Sequence, residues 1–470
     1  MPDLASETLS ADPRVAQAKQ LIAAALADAQ NALDGVRPAD PGRAQSFATM
    51  LEDFGKLRGK LWYPYIGSGV GKGPLVELMD GSVKFDMING IGVHGLGHSD
   101  PALIAAGIDG AMGDTVMQGN LQANTDAMRL CDDMLQLANA HGASLDHCFL
   151  TTSGAMANEN ALKIIFQKHA PADRIVAFSK CFTGRTLALA SVTDKAAYRD
   201  GIPEALSVNY LPFVDLANID KSIDSALKHL HLHLNRHKGK VAAVMFELVQ
   251  GEGGYNAGDA KFHRALMAEC KEQGLAVFVD EIQTFGRTLR PFAFQHYGLD
   301  EFVDVVSVGK MSQVCATLYK ADYAPRPGLV SQTFTGSTPQ IHAAIEVLGR
   351  MKSGKWFGDD GCNATIRAAF AQGIADLSAK HPGLIDSKLH GLGTMMAFQV
   401  FDGSADKTRA TLNALFDNGV IAFVCGGGPY RVRFLPPASV MTQNDVAEVC
   451  KILGETLVQV DRELAQKQEA

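Results

Sequence analysis

Near-continuous apolar segments alternate with segments of helical periodicity through the middle of the chain. The clearest example is "VAAVMFELV", followed by "DAKFHRALMAECKEQG" and then by "LAVFVDEI". The middle segment has Phe262, Leu266 and Cys270 on one helical face and stops at Gly274, a residue typical of helix C-termini. Because apolar strands of this kind are buried on both faces, the pattern predicts an α/β fold with a mostly parallel sheet flanked by helices.

Elements on either side of this unit follow from similar patterns. A hairpin is predicted in "LVELMDGSVKFDMI", and strands are predicted in "DHCFL" and "RIVAFS", on either side of the helix "NENALKIIFQKH". An amphipathic helix is predicted over residues 12–34, with apolar positions Ile22, Leu26, Ala29 and Leu33. The tail "TQNDVAEVCKILGETLVQV" predicts another, with apolar positions Val446, Val449, Leu453 and Val460.

The composition narrows the class of protein. With 470 residues, 47% hydrophobic and 20% charged, the chain can bury a large core in two or three lobes. A net charge of −8 argues against nucleic acid as a partner. No signal peptide or bilayer-length apolar stretch is visible, and the eight cysteines follow no disulfide or zinc spacing. We therefore expect a cytoplasmic protein that binds neither a membrane nor a metal.

Three motifs occur without the context that their usual functions require. "GIGVHG" matches the G-x-G-x-x-G dinucleotide fingerprint, yet no helix is predicted to begin at its third glycine. "GSGVGKG" has Ile66 where a P-loop needs its first glycine. His229, His233 and His237 share a helical face without a nearby carboxylate or cysteine, which favours a solvated surface over a metal site. A nucleotide-dependent dehydrogenase is thus only a remote alternative.

A lysine directly follows a predicted buried strand in "DVVSVGKMSQ". Burying an unpaired ammonium group costs free energy and lowers the pKa of such a group. Lys310 therefore either extends to solvent from the strand end or is held neutral to attack a carbonyl group. The motifs elsewhere in the chain decide between these alternatives.

Four further segments supply groups that such carbonyl chemistry needs. "FVDEIQ" ends a buried strand in Asp280, at the edge where α/β sheets bind ligands. "TTSGAMANENALK" is a small-residue loop at a helix N-terminus, where backbone N–H groups can bind a phosphate. Phe182 and Arg185 in "FTGRT" offer a flat apolar face and a carboxylate-binding fork, and "RVRFLPP" adds Arg433. With Lys310, this set meets the needs of pyridoxal 5'-phosphate (PLP).

In these motifs the chain resembles the class III, or ω-, aminotransferases of PLP fold type I. This group includes acetylornithine, ornithine, lysine ε- and 4-aminobutyrate aminotransferases. The resemblance covers roughly residues 60–445, in the motifs "FDMINGIGVHGLGHSDP", "TTSGAMANENALK", "FTGRTLA", "FELVQGEGG", "FVDEIQTFGRT", "SVGK", "TFTGST" and "RFLPP". "KMSQVCATL", after the lysine, is most similar to the lysine ε-aminotransferases.

The resemblance implies how PLP would be bound. Lys310 would form the internal aldimine and move the proton, Asp280 would pair with the pyridine nitrogen, and Gln283 would bind the ring hydroxyl. Phe182 would stack on the ring. The residues implied to bind the phosphate are Ser153, Gly154 and Ala155.

The resemblance also implies a homodimer with active sites at the subunit interface. In this family the partner subunit donates a phosphate-binding threonine, for which Thr333 is preferred over Thr335. Arg185 would hold the carboxylate remote from the transferred amine. The other residues implied to contact substrate are Tyr63, Ile91 and the gate pair Glu252 and Arg433.

Several positions depart from the family pattern. Met156 replaces a usual glutamate beside the phosphate loop, and Met311 and Ser312 replace glycines after the lysine. "DEIQTFGRT" is one glycine shorter than usual, and "TFTGST" carries an extra residue. None of these departures removes a group that the chemistry needs.

The sequence thus predicts PLP-dependent transfer of a terminal amino group to 2-oxoglutarate or pyruvate. The donor is an ω-amino acid, a lysine- or ornithine-type amino acid, or a diamine. An aminomutase or decarboxylase of the same fold is the alternative, but Glu252 with Arg433 suits two alternating substrates. The predicted domains are an N-terminal segment, 1–75, a large PLP-binding domain, 76–345, and a C-terminal part, 346–470. The two chain ends are expected to form a small α+β domain.

Overall fold

A computed structural model gives the fold of residues 4–117 and 121–469. The chain forms two compact units. The first consists of the residues up to Asp109, Cys362–His390 and the residues from Met396 onward, and the second of Gly110–Gly361 and Gly391–Met395. The domain limits at 75/76 and 345/346 stay a prediction, and position 346 lies inside a helix, Thr338–Ser353.

The elements are numbered in chain order. The helices are α1 Ala5–Ser10, α2 Pro13–Gln30, α3 Ala44–Arg58, α4 Asn89–Gly92, α5 Pro101–Ala111, α6 Thr125–Asn139, α7 Gly154–Lys168, α8 Leu187–Val192, α9 Ile219–Arg236, α10 Ala260–Glu272, α11 Ala293–His296, α12 Thr338–Ser353, α13 Cys362–Lys380, α14 Ala405–Asp417 and α15 Gln443–Glu469. Short 3-10 helices cover Pro41–Arg43, Ala196–Tyr198, Lys310–Ser312 and Ala321–Tyr323.

The strands follow the same numbering. They are β1 Gly67–Lys72, β2 Leu75–Leu78, β3 Val83–Asp86, β4 Val116–Met117, β5 His147–Thr151, β6 Arg174–Phe178, β7 Ser207–Leu211, β8 Val241–Phe246, β9 Val249–Gln250, β10 Asn256–Ala257, β11 Ala276–Asp280, β12 Val305–Val308, β13 Cys315–Tyr319, β14 Gly336–Ser337, β15 His390–Leu392, β16 Met395–Phe398, β17 Val420–Ile421, β18 Phe423–Cys425 and β19 Arg431–Phe434.

The second unit is built on a sheet with the strand order β5-β13-β12-β11-β8-β6-β7. Strands β12, β11, β8, β6 and β7 run parallel, whereas β13 is antiparallel to both of its neighbours. The unit "VAAVMFELV" to "LAVFVDEI" forms β8, α10 and β11, and the helical face of Phe262, Leu266 and Cys270 is fully buried. The mostly parallel sheet with flanking helices confirms the predicted fold class.

The core of this unit lies where α7 packs on the sheet. Ile165 of α7, Ile175 of β6 and Phe278 of β11 belong to one cluster of buried side chains. Every residue of β8, β11 and β12 is buried, so the polar residues that follow these strands emerge together at one edge. That edge is the carboxyl end of parallel strands, where α/β sheets bind ligands.

The first unit contains two smaller sheets. One has the order β1-β2-β3-β17, and its β2–β3 hairpin turns at Asp80-Gly81 as predicted. In the other, β19 pairs with β16 on one side and with β18 on the other. The predicted helix in the tail is confirmed as α15, with Val446, Val449, Leu453 and Val460 buried.

One predicted helix differs from the structure. The helix expected over residues 12–34 is α2, which ends at Gln30. Of its apolar positions, Ile22 is 43% exposed in the single chain and Ala29 is also exposed. Leu33 is buried, but it lies beyond the helix end. Helical spacing therefore predicted the helix but overestimated its length. A periodic apolar pattern also does not show which other surface, if any, packs on the apolar face.

Candidate active site

Lys310 lies at the carboxyl edge of the sheet, immediately after β12 and Gly309. It is partly buried and has a φ of 54°, in the left-handed region that side chains rarely adopt. Such backbone strain persists only where the surrounding structure imposes it, and it is concentrated at functional sites. This backbone conformation is consistent with a functional lysine, and the role of Lys310 stays a prediction.

Asp280, the last residue of β11, is held by two donors. Its Oδ1 accepts a hydrogen bond from the Ile282 N–H at 2.9 Å, and its Oδ2 accepts one from Asn158 Nδ2 at 2.8 Å. Burial raises the pKa of the Asp280 carboxyl, while both hydrogen bonds and the charge of Lys310 oppose this shift. Asp280 and Lys310 therefore interact electrostatically: Asp280 ends β11, and Lys310 follows its paired neighbour, β12.

Ser153 and Gly154 form the start of α7. Ser153 is the N-cap residue, and its hydroxyl accepts a hydrogen bond from the Met156 N–H at 3.2 Å. The first-turn N–H groups of Gly154 and Ala155 point out of the helix, where they can bind an anion. A Cβ at Gly154 would lie 2.9 Å from the Ile282 side chain, so only glycine lets the two segments approach this closely.

Phe182 and Arg185 both contact Tyr198. The ring of Phe182 is partly buried and meets the ring of Tyr198 edge-on, with centroids 6.1 Å apart. The exposed guanidinium of Arg185 stacks over the same tyrosine ring at 4.0 Å. Tyr198 thereby orients the predicted ring-stacking residue and the predicted carboxylate-binding residue together.

Glu252 lies in the turn between β9 and β10, which pair as a short hairpin. The same region contains Glu247, which follows β8. Glu247 accepts hydrogen bonds from the N–H groups of Phe182, at 3.0 Å, and of Gly251, at 2.7 Å. Glu247 thus connects the loop that contains Phe182 to the loop that contains Gly251 and Glu252.

Gln283 packs directly against Gly251. A Cβ at Gly251 would lie 2.8 Å from Gln283 Oε1, so a larger residue would displace this side chain. Gln283 Oε1 is buried, and no donor for it occurs within residues 4–117 and 121–469. A buried acceptor without a donor is costly, so this atom is suited to a ligand hydroxyl group.

The two candidate phosphate-binding threonines differ in exposure. Thr333 is exposed and is followed by Phe334, which is 61% exposed. Thr335 is buried, and its hydroxyl has no hydrogen-bond partner in the described part of the chain. Exposure of Thr333 is compatible with its donation to a partner subunit, and the preference for Thr333 stays a prediction.

The remaining predicted residues belong to the first unit. Tyr63 is buried, stacks on Phe416 and donates its hydroxyl hydrogen to the Ala422 carbonyl at 3.0 Å. Ile91 is 36% exposed and has a φ of 61°. Arg433, in β19, is fully buried, and its guanidinium lies 5.2 Å from the centre of the Phe423 ring. Their roles in substrate binding stay predictions.

Sequence reasoning missed three residues that complete the site in the second unit. Asn158 binds Asp280, Glu247 binds the Phe182 loop, and Tyr198 supports Arg185. A signal existed for two of them, because Asn158 lies among apolar positions of a helix and Glu247 follows an apolar strand. A buried polar residue in such a place requires a partner. For Tyr198 the sequence has no comparable signal.

The residues present fit PLP. The start of α7 presents first-turn N–H groups that could bind a phosphate, and Asp280 is a buried carboxylate that could pair with a pyridine nitrogen. Buried Gln283 Oε1 could accept a hydrogen bond from the ring hydroxyl. Within the described ranges, no group of three or more His, Cys, Asp or Glu side chains is arranged to bind a metal ion. No helix among these residues is long and apolar enough to cross a bilayer.

Comparisons with known proteins identify the family. Residues 66–457 match the family described as Aminotransferase class-III. The acetylornithine aminotransferase of Bacillus subtilis is 31% identical over 392 residues, which are 82% of this chain and 93% of that protein. The succinylornithine transaminase of Yersinia enterocolitica is 29% identical over 413 residues, 83% and 92% of the two chains.

A solved structure shares the fold. The lysine aminotransferase of M. tuberculosis superposes with a TM-score of 0.77 at 21% sequence identity, over 88% of this chain and 99% of that one. The predicted resemblance and the predicted cofactor are confirmed by these matches. The chain belongs to the PLP-dependent class III aminotransferase family, whose members transfer amino groups to 2-oxo acids.

Proposed function

We propose that this aminotransferase takes the terminal amino group of an ω-amino acid, a lysine- or ornithine-type amino acid or a diamine, and transfers it to 2-oxoglutarate or pyruvate. The single observation that carries the proposal is the convergence of Lys310, Asp280 and the start of α7 at one sheet edge. The relatives named for acetylornithine and succinylornithine support a donor of this type.

Each residue at this edge of the sheet has a separate proposed role toward PLP. When bound, PLP would supply an electron sink for transfer of the amino group. The Asp280 carboxylate would keep the pyridine nitrogen protonated, and Asn158 holds this carboxylate in place. Lys310 would move a proton at its Nζ atom, while Phe182 would pack on the ring face. The first-turn N–H groups of Gly154 and Ala155 would bind the phosphate.

Arg185 is proposed to select donors that carry a carboxylate remote from the reacting amine. Its guanidinium is exposed, yet its position is restricted by stacking on Tyr198 at 4.0 Å. A planar guanidinium group with a fixed orientation binds a carboxylate through two parallel hydrogen bonds. Tyr63 and Ile91 are proposed to line the donor pocket, as the family resemblance implies.

Glu252 and Arg433 are proposed to act as a gate between the two substrates. An ω-amine donor places methylene groups beside the reacting carbon, whereas 2-oxoglutarate places a carboxylate there. Glu252 would neutralise Arg433 while the donor is bound and would release it for the carboxylate of the acceptor. A fixed structural ion pair is the alternative, and the two differ in their effect on each half-reaction.

The enzyme is proposed to be a cytoplasmic homodimer. The exposed Thr333 and Phe334 support a dimer, because the family resemblance implies that the partner subunit supplies a threonine to the phosphate. The scattered cysteines, without disulfide spacing, support a reducing compartment.

A panel of amine donors, each with 2-oxoglutarate and with pyruvate, tests the proposed function. ω-Amino acids, lysine, ornithine and its N-acyl derivatives, and diamines should support turnover. α-Amino acids without a terminal amine should be poor donors in the first half-reaction. Turnover of α-amino acids alone would overturn the proposal, and release of carbon dioxide would indicate a decarboxylase instead.

A further inference from the structure

Two carboxylates follow neighbouring strands at the ligand-binding edge of the sheet. Val279 of β11 lies opposite Phe246 of β8 in a parallel pairing. Asp280, the last residue of β11, and Glu247, which directly follows β8, are the next residues in this register. Side chains at matching positions of paired strands leave the sheet on the same side, with Cβ atoms about 5 Å apart. The proposed mechanism uses Asp280, whereas it has no use for the acidity of Glu247.

The surroundings of both groups restrict their movement. Both oxygens of Glu247 accept backbone hydrogen bonds, from Phe182 and from Gly251. Asp280 is fixed by the Ile282 N–H and by the Asn158 amide. Neither carboxylate can therefore swing away from the other without breaking these bonds.

Two ionised carboxylates at neighbouring buried positions repel each other, so a proton is retained by one of them. Removal from water and the nearby Asp280 charge raise the pKa of Glu247 to about 8. The other titratable groups that face Glu247 are Glu252 and Cys181, and Lys310 faces Asp280.

We propose that Glu247 and Asp280 form a carboxylate pair that holds one proton in the apoenzyme, and that the cationic pyridine ring displaces this proton to solvent when it binds. A positive charge beside the pair favours its fully ionised form. The displaced proton passes to the buffer, and no bond of the cofactor changes. Glu247 is thus a positioning residue that holds Phe182 and adds a second negative charge behind Asp280 once the ring is bound.

This inference rests on the proposed placement of the pyridine nitrogen at Asp280. Its test uses pyridoxamine 5'-phosphate, which has an amine in place of the aldehyde and makes no covalent bond with Lys310. Titration calorimetry of the full-length apoenzyme at pH 7, in two buffers of different ionisation enthalpy, counts the protons released on binding. The wild type should release about one proton more than the Glu247→Gln variant does.

Glu281→Gln is the matched control. Glu281 is a fully buried carboxylate that follows Asp280 in sequence, and burial raises the pKa of Glu281 to about 7. It accepts hydrogen bonds from the Thr284 hydroxyl and from the N–H groups of Ala293 and Phe294, none of which belongs to the loops of Phe182 and Gly251. Its substitution should leave the proton count unchanged. An equal count in the wild type and Glu247→Gln, or an equal loss in both variants, overturns the carboxylate pair.

Infrared difference spectroscopy of the wild type provides a measurement that needs no variant. Binding of pyridoxamine 5'-phosphate should remove the C=O band of one protonated carboxyl group. Retention of that band overturns the inference even if Glu247→Gln fails to fold. Failure of the wild-type apoenzyme to bind the compound refutes the proposed cofactor site instead, so the two failures are distinguishable.

Discussion

Asn158 donates one amide hydrogen to Asp280 Oδ2, at 2.8 Å, and the other to the Thr183 carbonyl, at 2.7 Å. Asn158 is fully buried on α7, and the first turn of this helix carries Gly154 and Ala155. One helix therefore carries the N–H groups proposed to bind the phosphate and the amide that orients Asp280. The distance between the phosphate and the pyridine nitrogen of PLP is constant, so a shared element that sets both contacts favours this one cofactor.

Substitution of Asn158 by alanine should loosen Asp280 and weaken PLP binding. The loss of a donor to a buried carboxylate costs about 1–3 kcal/mol, so both the thermal stability and the affinity for PLP should fall. Asn160→Ala is the control, because Asn160 is buried on the same helix and its Nδ2 has no partner among the residues described. Equal losses of PLP affinity in the two variants would contradict the positioning role.

Replacement of Lys310 by alanine should abolish turnover. Lys310 follows a buried strand and interacts electrostatically with Asp280, and its amine is proposed to carry out the proton transfer. Borohydride reduction of the wild-type holoenzyme should attach PLP to the peptide that contains Lys310. Lys163→Ala, at an exposed position of α7, should retain full turnover. Attachment of PLP to another lysine would show that the assignment is wrong.

Arg185→Lys should raise KM for donors that carry a carboxylate remote from the amine. A lysine ammonium is a point charge and does not reproduce the bidentate fork or the stacking on Tyr198. Simple monoamines without that carboxylate should be affected little. Arg199→Lys, in the same region, should leave both kinds of donor unchanged. Equal losses for acids and monoamines would assign Arg185 to the stability of the fold.

The Glu252→Ala substitution should change the rates of the two half-reactions to different extents. If Glu252 is a gate, its loss lets glutamate compete with the ω-amine donor and slows the ω-amine half-reaction specifically. Stopped-flow measurement of each half-reaction gives these rates. If Glu252 is only structural, both half-reactions fall together with the thermal stability. Glu272→Ala, at an exposed position of α10, should change neither rate.

The stability of the apoenzyme should decrease between pH 4.5 and pH 7. Burial raises the pKa of Glu281 from an ordinary value of 4.5 to about 7. The folded state binds more protons than the unfolded state in this window, so unfolding becomes easier as the pH rises. This residue alone should contribute a loss of about 3 kcal/mol, complete above pH 7. Chemical unfolding at several pH values should show that the free energy of unfolding falls less steeply with pH in Glu281→Gln than in the wild type.

Much of the fold could be predicted because its strongest signals are local. The apolar strands β8 and β11 and the helix α10 between them have patterns that appear in the sequence and are confirmed in the structure. The burial of the apolar residues of α2, by contrast, does not follow from a local pattern. Its apolar residues have helical spacing, but burial depends on a partner surface that no local pattern describes.

The sequence by itself determined the chemical groups of the site and their positions at element ends. Asp280 ends an apolar strand, Lys310 follows another, and Gly154 begins a helix, because polar residues and glycine terminate apolar runs. Only the tertiary structure decided which side chains meet. Asn158 and Asp280 are 122 positions apart, and Glu247 neighbours Asp280 because β8 pairs with β11. Such contacts depend on strand order and packing, which local sequence patterns do not specify.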